Sequence, residues 1–132
     1  MKPPILIFTK DDKKMGAMEA LTFGKSLLLK NDKYNSNIQI VDVDGLLYDV
    51  KRLHSSKKIN VMQSIKCFSI MVDFVPELKG EPLQITLEYL KDRVKKHVIK
   101  HKAYWNPMDD GRGLEKMIND TESIKELILM FR

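Results

Sequence analysis

His97 and His101 stand four residues apart, the spacing that puts two imidazoles on one face of a helix, as a metal site requires. The residue after His97 is Val98, so the glutamate of the helical metalloprotease motif is missing. Neither a cysteine pair nor a carboxylate cluster lies nearby to supply a third ligand, and two ligands are too few for a zinc centre. The expectation is a histidine pair packed near Trp105, with no metal and no cofactor. Asp42-Val43-Asp44-Gly45 opens like a calcium loop, but Leu46 and Leu53 fall where oxygen ligands are needed. A turn explains both aspartates better. Cys67 lies in the most apolar stretch of the chain and reads as a small buried hydrophobe, since reactive thiolates sit in exposed, electropositive places. No Gly-x-Ser-x-Gly elbow, phosphate loop or dinucleotide fingerprint occurs, and Gly111-Arg112-Gly113 is too short to cradle a phosphate. No set of nucleophile, base and orienting group can be assembled, so an enzyme is not expected.

The remaining chemistry is that of surfaces. Lys91, Arg93, Lys95, Lys96, Lys100 and Lys102 crowd one short segment that ends at Tyr104 and Trp105. Cations with aromatic neighbours can track a phosphate backbone. Glu88 and Asp92 stand three or four residues from Lys91, Lys95 and Lys96, where pairing removes part of that field. A solvated binding face is therefore expected first, and a nucleic-acid track is the alternative. At the other end, Leu127 to Phe131 is apolar throughout. Five such neighbours exceed one helical stripe, which leaves Leu129 and Met130 as an interface, for instance of a homodimer.

These groups must be held by elements that the pattern specifies. Ile5 to Thr9, after two prolines, reads as a strand at an edge or at the start of a sheet. Met15, Met18, Leu21, Lys25 and Leu28 fall near helical spacing and predict a first helix over 15–30, weakened by Gly24. Two alternating runs flank Asp44-Gly45 and predict a hairpin with a two-residue turn. That register sets Val43 opposite Leu46, Val41 opposite Tyr48 and Gln39 opposite Val50, with these six on the core side. His54 to Lys58 reads as a polar loop. Ile65 to Val75 reads as a central strand covered on both faces, followed by a loop at Pro76, Gly80 and Pro82.

Thr86 is placed to cap a long helix whose buried stripe is Leu87, Leu90, Val94, Val98, His101 and Trp105. Leu114 to Phe131 is helical with a break near 119–121, and Ser123 with Glu126 fits a capping box. The order predicts an α+β fold: an antiparallel sheet with a central hairpin and a long strand, covered by a first helix and the C-terminal helices.

Length and composition set the outer bounds. The 132 residues suffice for one domain spanning 1–132. Hydrophobic residues make up 43% and charged residues 31%, which excludes disordered and collagen-like classes. No apolar run approaches a membrane span, so no membrane partner is expected. The single cysteine excludes an intramolecular disulfide framework and fits a cytoplasmic protein. The net charge of +5 falls short of a dedicated nucleic-acid binder. The functional expectation is a small non-enzymatic protein that binds a protein partner, in the manner of an immunity or adaptor protein.

Overall fold

The structure, a computed structural model, describes residues 1–9, 18–21, 26–28, 36–59 and 71–131. Among the described residues, seven strands precede the helices: β1 (Ile5–Thr9), β2 (Met18–Leu21), β3 (Ser26–Leu28), β4 (Ser36–Val41), β5 (Leu46–Ile59), β6 (Met71–Leu78) and β7 (Leu83–Gln84). The helices are α1 (Leu87–Lys100), α2 (Lys102–Trp105), α3 (Leu114–Asp120) and α4 (Ile124–Met130), with a 3₁₀ turn over Asn106–Met108. The strands form one antiparallel sheet in the order β2-β1-β4-β5-β6-β3, and β7 pairs with the start of β5. The fold class is α+β. Among the described residues, no helix is long and apolar enough to cross a membrane.

The sheet is apolar on both faces. Leu6, Phe8, Val41 and Leu47 point toward the helices and meet Leu90, Val94, Ile118, Leu127 and Phe131. On the opposite face Ile5, Ile7, Ile38, Ile40, Tyr48, Val50 and Leu53 form a second buried cluster. The alternation along β1 follows from the two-residue period of a strand. Val50 and Leu53 share a face although they are three apart. The β5–β6 register advances from Val50↔Leu78 to Arg52↔Glu77, so β5 carries one extra residue there. Such a bulge shifts the following side chains by one position, which returns Leu53 to the cluster.

Several expected elements differ. Residues 18–21 and 26–28 are strands, not parts of a first helix. Met18 is buried and Ala20 packs against the same core, so their period is two. Long-range pairing with β1 here overrides a weak helical pattern that contained Gly24. In consequence β1 is no edge: β2 lies on one side and β4 on the other. His54 to Lys58 is not a loop but the second half of β5, paired across to β6. Residues 71–75 do lie in a strand, with β5 on one side and β3 on the other as far as Asp73, while 65–70 lie outside the described residues. β6 continues through Pro76 to Leu78. Proline is tolerated there because β3 reaches only Asp73, so the outer side of the strand requires no N–H from residue 76.

The helical half follows the sequence closely. The Thr86 side chain accepts the Tyr89 N–H at 3.1 Å and caps α1. The Ser123 hydroxyl accepts the Glu126 N–H at 3.1 Å and caps α4. The Glu126 carboxylate accepts from the Glu122 N–H at 3.0 Å, one residue earlier than in a standard capping box.

Candidate functional site

The hairpin carries a buried carboxylate, Asp42. The pairing is Val41↔Leu47 and Ile40↔Tyr48, one residue away from the register expected for a two-residue turn. Val43, Asp44 and Gly45 form a three-residue loop, with Gly45 at φ +79°. Asp42 is the reason. Its Oδ1 accepts the N–H groups of Asp44 and Leu46, each at 3.0 Å, and its Oδ2 accepts the Tyr48 hydroxyl at 3.1 Å. A carboxylate satisfied by turn N–H groups selects the wider loop. In this register Leu47 joins Val41 on the helix side, and Tyr48 joins Ile40 on the opposite face. Burial pushes the Tyr48 hydroxyl pKa up, and the hydrogen bond to Asp42 and the charges of Asp42 and Asp44 add to it. These groups close a turn.

The six cations of the basic segment do not share one surface. Lys91 is only 8% exposed, and its Nζ donates to the Asn119 backbone O at 2.9 Å. Lys95 Nζ donates to Asn119 Oδ1 at 2.9 Å. Both therefore sit at the C-terminal end of α3, where carbonyls lack helical partners and the helix dipole favours a cation. The Arg93 guanidinium lies 4.0 Å from the centre of the Phe8 ring. Lys96 pairs with Asp92 at 3.0 Å, one helical turn back. Lys100 and Lys102 are exposed.

Trp105 is buried rather than displayed. Its ring meets Phe131 edge-on at 5.4 Å, Tyr104 at 4.9 Å and His97 at 6.0 Å. His97 and His101 lie 4.9 Å apart within this aromatic group. Among the described residues no cluster of three His, Cys, Asp or Glu side chains could hold a metal ion. Cys67 lies outside the described residues. His54 does find a carboxylate, Glu77 Oε2 at 2.9 Å, but across two strands on exposed surface. That hydrogen bond, joined by Lys51, holds the Glu77 carboxyl below its usual range.

The corner at 109–113 is rigidly cross-linked. Asp109 Oδ1 accepts the N–H groups of Gly111 and Gly113. Arg112 donates to Asp110 and Asp120, which holds the Asp110 carboxyl low and the guanidinium pKa high. A shallow cleft of about 300 Å³ runs between this corner and the end of α1, lined by Val98, Ile99, Lys102 and Leu114 with Arg112, Glu115 and Lys116. Its walls carry both signs of charge.

Leu129 and Met130 are half-buried, and Met130 packs against the helix-side core. The larger exposed apolar groups of the helical half lie elsewhere: Tyr89, Ile99 and Tyr104 are each about half exposed. Sequence reasoning passed over Tyr89 and Ile99. Their signal was the spacing 89, 92, 96 and 99, a second stripe on the back of the buried one. No protein-family model matches the chain, and neither does any curated protein or solved structure.

Proposed function

We propose that this protein acts without catalysis, by binding another protein through the outer face of α1 and the adjoining α2. One observation carries the reading: Tyr89 and Ile99 stand about half exposed along α1, whose inner face is already filled, and Tyr104 on α2 is exposed to the same degree. Aromatic and aliphatic groups held on a rigid helix can bury area on a partner at little entropic cost. Exposed Lys102 beside them favours a partner with carboxylates at its rim. The nucleic-acid alternative has less support, because Lys91, Lys95, Arg93 and Lys96 each have a partner within the protein.

Affinity capture from the source cell tests this, with mass spectrometry of what is retained. A specific protein should be held by the native chain and lost with Tyr89→Asp, Ile99→Asp, while Lys125→Ala, an exposed position on α4 away from this face, retains it. Fluorescence anisotropy of labelled RNA and DNA completes the test. Tight binding that weakens steeply with salt would replace the protein-binding reading by the nucleic-acid one.

A further inference from the structure

The outer stripe of α1 is complementary to its own reversed copy. Tyr89, Asp92, Lys96 and Ile99 follow at intervals of three, four and three, so they form one line along the helix. The apolar groups are at the two ends, and the charges are in the middle. Tyr89 is 47% and Ile99 52% exposed. Asp92 and Lys96 are joined at 3.0 Å, with side chains 63% and 78% exposed. We infer that this face pairs with a second copy of the same chain, the two α1 helices running antiparallel about a two-fold axis level with Val94.

In that arrangement Tyr89 lies level with Ile99 of the second copy, and Asp92 faces Lys96 of the second copy. Each contact occurs twice by symmetry, as an isologous dimer requires. The four charges form an alternating quartet in which every carboxylate meets two ammonium groups. A parallel pair would set aspartate on aspartate and lysine on lysine, so the charges choose the orientation. Opposed helix dipoles favour the same choice. The charged pairs stay at a solvated seam, where they contribute register more than affinity. The helix has 14 residues, about 21 Å, so one crossing buries little area and the dimer is weak and salt-sensitive. This inference rests on the protein-binding reading and names its partner.

Sedimentation equilibrium of the full chain, from low micromolar to millimolar concentration, should show a reversible monomer–dimer exchange. Asp92→Lys alone and Lys96→Asp alone should each be monomeric, because each fills the quartet with one sign. An equal mixture of the two variants should dimerise again, since each then supplies the charges the other lacks. Circular dichroism checks that both remain folded. A native chain that stays monomeric at millimolar concentration overturns the inference. So does a dimer that persists in both variants, or a mixture that behaves as the sum of its parts. If the native chain is monomeric while capture from the cell still depends on Tyr89 and Ile99, the protein-binding reading stands with a different partner. If capture fails as well, both fall.

Discussion

Gly45 shows how much of the structure rests on one residue. Its φ of +79° is a conformation that side chains with a Cβ rarely adopt. A Cβ there would lie 2.7 Å from Ile124 Cδ1 and 2.8 Å from Gln84 Nε2. The same loop accepts the Ile85 N–H at Gly45 O, while Gln84 Nε2 donates to Asp44 O and Gly45 O. The hairpin tip is thus wedged between the approach to α1 and the first turn of α4. Gly45→Ala strains the backbone at this positive φ and makes the ends of Ile124 and Gln84 swing aside, so it should lower stability by about 1–3 kcal/mol. Urea unfolding checks this, and a loss under about 1 kcal/mol would mean that the tip is not clamped. The Asp-Gly pair was legible in the sequence as a turn. The contact with Ile124 was not, because it joins residues far apart in the chain.

At the scale of elements, the joint between α1 and α3 depends on Lys91 and Asn119. A lysine near the start of a basic run has every appearance of a surface charge. Instead it is buried, and its ammonium satisfies a carbonyl at the end of α3. Lys91→Ala leaves that carbonyl without its donor and removes a buried alkyl stem, so it should lower stability by about 1–3 kcal/mol. Lys95→Ala removes an exposed bond to the same residue's side chain and should change stability by less than about 1 kcal/mol. Comparing the two in parallel denaturant titrations separates a lysine that fixes two helices together from one that decorates them. Equal effects would contradict the burial of Lys91. The charge run predicts a solvated face for both lysines, but the position of α3 covers Lys91.

The whole molecule is a sheet with an apolar cluster on each face. Leu6 faces the helices and Ile40 faces away from them, and both are fully buried. Leu6→Ala and Ile40→Ala should each cost about 2–5 kcal/mol, the usual range for a large-to-small change in a packed core. A sheet with one wet face would make Ile40→Ala nearly neutral. Chemical denaturation of the two variants distinguishes these architectures. The one-residue slip of the hairpin belongs to this scale, since it reverses the facing of β5 against β4: Leu47 joins Val41 on the helix side and Tyr48 joins Ile40 on the other. Both faces of that hairpin are apolar, so hydrophobic alternation alone does not choose between the registers. The Asp42 carboxylate and the docking of Gly45 do.

The sequence by itself determined the features that rest on contacts within about four residues. These are the Thr86 cap and the buried stripe of α1, the break between α3 and α4, the Ser123 cap, and a hairpin at Asp44-Gly45. Caps, turns and helical stripes have their causes close by in the chain. Tertiary structure alone decided what each segment pairs with. It made strands of residues 18–21 and 26–28, extended β5 through His54 to Ile59, set the hairpin register, and drew Lys91, Arg93, Lys95 and Lys96 into contacts with Asn119, Phe8 and Asp92. A strand is stable only with a partner, and a charge is a surface charge only where nothing packs over it. Neither condition can be read from a residue's own neighbours.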